Sequence, residues 1–116
     1  MGRFLDLRAK NKPLTIAGDG KNTRDYVHVQ DVVRANILAA KSPRIKKGEV
    51  INIGSGRETS VNDLAGYIGG QVTHDKPRQE PHRSVADISR AHAMLDWTPA
   101  IPLEEGIARL KSDLGI

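Results

Sequence analysis

Cysteine is absent from the 116 residues, which excludes disulfide staples, thiolate metal sites and a cysteine nucleophile. Aromatic residues are nearly absent: one Phe, two Tyr and one Trp predict a core of Val, Ile, Leu and Ala without large aromatic anchors. The same scarcity leaves almost nothing on which nucleic-acid bases could stack. No apolar run is long enough to span a bilayer. The N-terminal MGRFLDLRAKNKP, charged at Arg3, Asp6, Arg8 and Lys10, has no signal-peptide core. A soluble protein of the reducing cytoplasm is the expectation. His28, His74, His82 and His92 show no metal-ligand spacing, so no metal is expected.

What is present is ordinary globular material. An apolar fraction of 38% and a charged fraction of 28% predict one folded domain over residues 1–116. The formal charge of +4 favours anionic partners, but the basic residues are dispersed, which argues against nucleic acid.

Along the chain, Phe4 to Lys12 reads as the end of a helix closed before Pro13. Leu14 to Ile16 predicts a strand, and Gly18-Asp19-Gly20 a turn. Tyr26 to Val29 alternates like a second strand, predicted to pair with the first across that turn. From Asp31, an N-cap or first-turn acid, the stripe of Val32, Val33, Ile37 and Leu38 predicts a helix up to Pro43. Val50 to Ile53 predicts a strand buried on both faces. Ser60-Val61-Asn62-Asp63 is a capping box for a helix stopped by Gly69-Gly70, and Val72-Thr73 suggests another strand. Pro77 to Ser84 reads as an irregular surface arm. Ala86 to Ser89 opens a helix with Ala91, Met94 and Leu95 as its buried face. Pro102 starts a last helix whose stripe is Leu103, Ile107, Leu110 and Leu114.

Two local features invite a sharper reading. Gly54-Ser55-Gly56 begins like a dinucleotide fingerprint, but Thr59 stands where the third glycine belongs, so a plain turn is preferred. Arg24 beside Asp25 is either a surface ion pair steadying a turn or an anion-binding group; guanidinium is permanently charged and forks onto phosphate oxygens. Ser60 and Asp87 are expected as helix caps and Trp97 as a packing residue.

Three stretches, PLTIAGDGKNTRDYVHVQDVVRAN (Pro13 to Asn36), EVINIGSGRETSVNDLA (Glu49 to Ala65) and ADISRAHAMLDWTPAIPLEEGI (Ala86 to Ile107), stand in an order that resembles the C-terminal portion of extended short-chain dehydrogenase/reductases. That family comprises NAD-dependent nucleotide-sugar epimerases, dehydratases and decarboxylases. The resemblance implies an α/β or α+β lobe of short strands with four or five helices, forming part of a Rossmann-type enzyme. It implies that the strand holding Leu14, Ile16 and Ala17 offers main-chain groups to a nucleobase. Arg24 would hold the diphosphate of a UDP- or dTDP-sugar, Arg78 would approach it from the arm, and Glu80 would accept from ribose hydroxyls. Two departures stand out: Ala17 replaces a frequent Tyr or Phe beside the base, and Arg78-Gln79-Glu80-Pro81 is one residue shorter than the family's turn.

The family's dinucleotide loop and its Tyr-x-x-x-Lys pair have no counterpart here: Tyr26 is followed four residues on by Gln30, and Tyr67 by Gln71. The resemblance therefore implies a truncated lobe that binds nucleotide-sugar, holds no NAD and has no catalytic residues of its own. Homo-oligomer formation or a separate Rossmann-containing chain is the expected partnership. The alternative is a structural or self-association module that kept the scaffold and lost the ligand.

Overall fold

The computed structural model describes residues 1–116 as a mixed α/β arrangement of five helices and four short strands. Helix α1 (Gly2–Ala9) ends where Lys10 donates its N–H back to Asp6, and strand β1 (Leu14–Ala17) follows Pro13. Strand β2 (Thr23–Arg24) leads to α2 (Val29–Lys41), and β3 (Thr59–Ser60) to α3 (Val61–Ile68). Strand β4 (Val72–Asp75), α4 (Ser89–Leu95) and α5 (Leu103–Leu114) complete the order.

The predicted hairpin does not form. Strand β1 pairs in parallel with β4, Leu14 opposite Val72 and Ala17 opposite Asp75, while β2 pairs antiparallel with β3. Tyr26 to His28 have no strand structure, and Val29 already belongs to α2. The reason lies at His28, whose Nδ1 accepts the Gln30 N–H at 3.2 Å and so starts the helix two residues before Asp31. Alternation over four residues is a weak signal beside a satisfied helix end.

The capping box at α3 is present as read: Ser60 Oγ accepts the Asp63 N–H at 3.0 Å, and Gly69 at φ 78° ends the helix. The turn before β2 is locked onto this helix start. Asn62 donates its N–H to Gly20 O and its Nδ2 to Asp19 O, so closely that a Cβ on Gly20 would lie 2.1 Å from Asn62 Oδ1.

Two small cores hold the chain. One joins Phe4, Leu5, Leu14, Ile16, Leu64, Ala65, Ile68 and Ile107; the other joins Ala35, Ala91, Leu95 and Trp97. The expectation of a core without aromatic anchors is thus overturned, because Phe4 and Trp97 are both buried. Trp97 is admitted because its Nε1 finds an acceptor, donating to Asp31 O at 3.0 Å. Asp31 itself is 1% exposed, deeper than a capping acid needs to be.

The Val50 to Ile53 strand is also absent. Ile51 and Ile53 turn toward the second core, while Val50 is 77% exposed and Asn52 is exposed too. A strand buried on both faces needs ladder partners on its edges, and no other strand lies alongside this one. The same deficit shows on α2, where Val29, Val33 (51% exposed) and Ile37 (50% exposed) recur at helical spacing on an uncovered stripe. On α5, Leu103 and Ile107 pack inward but Leu110 and Leu114 are exposed.

Candidate functional site

The parallel ladder decides which part of β1 remains available. Leu14 donates its N–H to Gln71 O and Gly18 its N–H to Asp75 O, so alternate residues face β4. Because successive residues point their N–H and C=O to opposite edges, the groups of Thr15 and Ala17 lie on the free edge.

Beside this strand is a cavity of about 300 Å³ lined by Thr15, Ile16, Ala17, Arg24, Arg78 and Glu80, with α1 contributing Arg3 and Phe4. Five of the six residues singled out from the sequence therefore meet around one space. Leu14 does not: it is wholly buried in the first core with its amide bonded to Gln71, and Thr15 takes its place on the wall.

Arg24 is aimed by β2 and held by the arm. Its Nη1 donates to Thr23 O at 2.7 Å and to Pro81 O at 2.8 Å, and its Nη2 meets Glu80 Oε2 at 2.6 Å. The arm is fastened further along: Thr23 N–H donates to His82 O at 2.9 Å, and Arg83 Nε meets Glu58 Oε1 at 2.6 Å. Arg78 and Arg3 reach the cavity without any hydrogen bond or ion pair inside the chain. Three guanidinium groups against Asp75 and Glu80 leave the wall with net positive charge. Burial pushes the Tyr26 hydroxyl up from its ordinary value; Arg24 opposes this and Glu80 adds to it.

The Arg24–Asp25 ion pair, one of the two readings open for Arg24, is absent. Asp25 turns the other way and binds the Gly54-Ser55-Gly56 turn: Oδ1 accepts from Ser55 N–H at 2.6 Å and Ser55 Oγ at 2.7 Å, and Oδ2 from Gly56 N–H at 3.0 Å and Ala86 N–H at 3.1 Å. Gly54 is required here, since a Cβ would lie 2.7 Å from Asp25 Oδ2 and 2.5 Å from the Ala86 Cβ. The amides that a dinucleotide fingerprint would offer to a pyrophosphate are thus engaged by a carboxylate of the same chain. These residues do not fit NAD.

Burial works to raise the Asp25 carboxyl, but the hydrogen bonds from Ser55, Ala86 and Gly56 outweigh it and hold the group below its ordinary value. A depressed folded value contributes stability that is complete above the unfolded carboxylate range, about 3.9, and is lost as pH falls through the folded value. Urea midpoints measured between pH 6 and pH 3 should therefore fall less steeply for Asp25→Asn than for the parent chain. The variant should start from a lower midpoint at pH 6.

Arg3, Phe4, Thr15, Asn22 and Tyr26 also line the cavity and were missed in the sequence reading. Arg3 entered that reading only as a charge against a signal peptide, and no local pattern marks a helical Arg as facing a site. Asp25 and Asp31 were read as local groups because their acceptor roles depend on amides far along the chain.

A free parallel edge, a cavity whose wall carries net positive charge and the arm that borders it belong to one α/β lobe. The profile of the NAD dependent epimerase/dehydratase family matches residues 2–54. A protein of Methanocaldococcus jannaschii with a provisional UDP-glucose 4-epimerase name is 44% identical, the match covering 92% of this chain and 36% of that protein. The crystal structure of UDP-glucose 4-epimerase from Thermotoga maritima with UDP-glucose superposes with a TM-score of 0.83 at 35% identity, covering 97% of this chain and 39% of the other. UDP-glucuronic acid 4-epimerase from Bacillus cereus, in complex with UDP-glucuronic acid and NAD, gives 0.87 at 31% identity, covering 97% and 38%. Residues 2–54 thus match the NAD dependent epimerase/dehydratase family, and the chain corresponds to a C-terminal part of these relatives. It spans between about a quarter and just over a third of the length of the curated relatives it matches, 36% for the first two. No helix is long and apolar enough to cross a membrane.

Proposed function

We propose that residues 1–116 form a single nucleotide-sugar-binding lobe for a UDP- or dTDP-sugar, working in the cytoplasm and without catalytic competence on its own. The observation that carries this reading is the convergence of Ile16, Ala17, Arg24, Arg78 and Glu80 on one cavity beside the free edge of β1. In this reading the Thr15 and Ala17 main chain faces the nucleobase, replacing the role first given to Leu14 and to Ile16, whose main-chain groups face β4. Arg24 and Arg78 take the diphosphate, and Glu80 lies close enough to the wall to meet the ribose. NAD and its acid/base partner are supplied from outside these residues, by a separate Rossmann-containing chain or by further sequence of the same protein. The uncovered stripe of Val29, Val33 and Ile37 supports a docking role for α2, either with such a partner or with a second copy.

The test is calorimetric titration of the 116-residue chain with UDP-glucose and dTDP-glucose. Saturable heat is expected for at least one of them. No heat from a folded sample would overturn the reading. If that sample also sediments as a dimer, the exposed α2 stripe and Val50 favour the second reading, a scaffold kept for self-association.

A further inference from the structure

The arm that borders the cavity is exposed from Lys76 through Val85, so burial contributes almost nothing to holding it. Polar ties hold it instead. Thr23 N–H donates to His82 O at 2.9 Å, and His82 Nδ1 lies 3.1 Å from Asn22 Oδ1. Arg24 donates to Pro81 O at 2.8 Å and meets Glu80 at 2.6 Å, and the Ala86 N–H donates to Asp25 Oδ2 at 3.1 Å. Arg78 makes none of these bonds, so its place on the cavity wall depends on neighbours that do. Between the β4 ladder and the Ala86 bond the arm is a single span, and beyond Arg24 one more charged fastening reaches it.

That fastening is Glu58, the residue before β3. Its Oε1 accepts from Thr23 Oγ1 at 2.8 Å and from Arg83 Nε at 2.6 Å, so one oxygen joins the ribbon to the arm. The hydrogen bonds from Arg83 and Thr23 hold the carboxyl below its ordinary value, which keeps it charged at neutral pH. Glu58 is half-buried beside the ribbon while the Arg83 side chain is 72% exposed. The carboxylate is therefore the fixed side of the bond, and the arm is the side that can leave. Neither Glu58 nor Arg83 lines the cavity. Resting on the reading of this cavity as a nucleotide-sugar site, we propose that Glu58 is a positioning residue of that site: by holding Arg83 it keeps the arm closed, and with it Arg78 and Glu80 on the cavity wall. Opening breaks the ties of the span together, so losing one raises the open population by the strength of that bond. For a half-exposed ion pair this is a factor of about five.

The experiment follows trypsin cleavage after Arg78 by mass spectrometry, beside calorimetry with UDP-glucose. The chains compared are the parent, Glu58→Ala, Glu58→Gln, Arg83→Ala, and Glu58→Ala combined with Arg83→Ala. Cleavage in the exposed Lys46-Lys47 loop serves as the reference, since a general loss of stability accelerates both sites. Where closing is faster than cutting, the rate reports the open population. Relative to the reference, Arg78 should be cut about fivefold faster in Glu58→Ala and in Arg83→Ala. The double variant should be no faster than either, because both changes remove the same bond. Glu58→Gln keeps an acceptor oxygen and should fall between parent and Glu58→Ala. UDP-glucose should bind about two- to fivefold more weakly to the two single Ala variants, because binding then includes closing an arm that is open for more of the time. Unchanged cleavage or unchanged affinity in Glu58→Ala would overturn the proposal, and so would equal acceleration at both cut sites. Faster cleavage at Arg78 with no UDP-glucose binding by the parent chain would instead overturn the nucleotide reading and support Glu58 as the fastening of the arm.

Discussion

Asp31→Ala should lower the stability of the chain by about 3 kcal/mol. The carboxylate is sealed between α2 and the turn that follows α4. There Oδ1 accepts from Arg34 Nη2 at 2.9 Å and the Ala100 N–H at 3.0 Å, and Oδ2 accepts the Ile101 N–H at 3.0 Å. Truncation leaves the Ala100 and Ile101 amides without their acceptor and takes the carboxylate from Arg34, whose Nη2 keeps Thr98 O; each orphaned donor costs about 1–3 kcal/mol when water cannot reach it. Ala100 and Arg34 retain some access to water, which places the total near the lower end. The same turn carries Trp97, whose indole bonds Asp31 O and stacks under the Arg34 guanidinium at 5.6 Å, so the second core loosens with it. Against a total stability on the order of 5 kcal/mol for a small domain, the variant should keep about 2 kcal/mol, leaving roughly 3% of molecules unfolded at room temperature. Urea denaturation followed by Trp97 fluorescence measures this directly. Asp31→Asn, which keeps the shape and one acceptor, should lose about half as much; a loss below about 1 kcal/mol in Asp31→Ala would show that the carboxylate does not hold the turn.

Arg24→Ala should weaken UDP binding by about 30-fold or more, the scale of losing hydrogen bonds to a charged acceptor. The change has two parts. It removes the fork that would engage the diphosphate, and it leaves Glu80 in the cavity wall as an uncompensated negative charge. Arg24→Lys should recover only part of the affinity, because an ammonium keeps the charge but cannot serve Thr23 O, Pro81 O and a phosphate with one planar group. Calorimetry with UDP on the three chains gives the comparison. Equal affinities would remove Arg24 from the site, and the reading of the cavity would then depend on Arg78 and Arg3 alone.

Much of the layout follows from short stretches of sequence. Ser60 and Asp63 cap a helix wherever the chain places them, since donor and acceptor lie three residues apart. Gly69 ends that helix because positive φ is inexpensive only for glycine. The irregular arm is legible from its prolines, and the three family motifs carry enough of the chain to locate the lobe. Five of the fourteen residues that line the cavity were legible through that resemblance: Ile16, Ala17, Arg24, Arg78 and Glu80.

What failed were the readings that treated a neighbour in sequence as a partner in space. Arg24 and Asp25 are adjacent, yet one bonds the arm and the other the Gly54 turn, because successive side chains of an extended segment point to opposite sides. The strand at Leu14 could be read from its own residues, but not its partner. Parallel pairing joins segments far apart in the chain, and only the packing of α1 and α3 beneath β1 brings β4 alongside it. The sequence alone determined both ends of α3, the position of the arm, the family resemblance and the chemical types available to the site. The tertiary structure decided which carboxylates are acceptors, which edge of β1 is free and which anion Arg24 holds, because each of these depends on groups brought together by folding from distant parts of the chain.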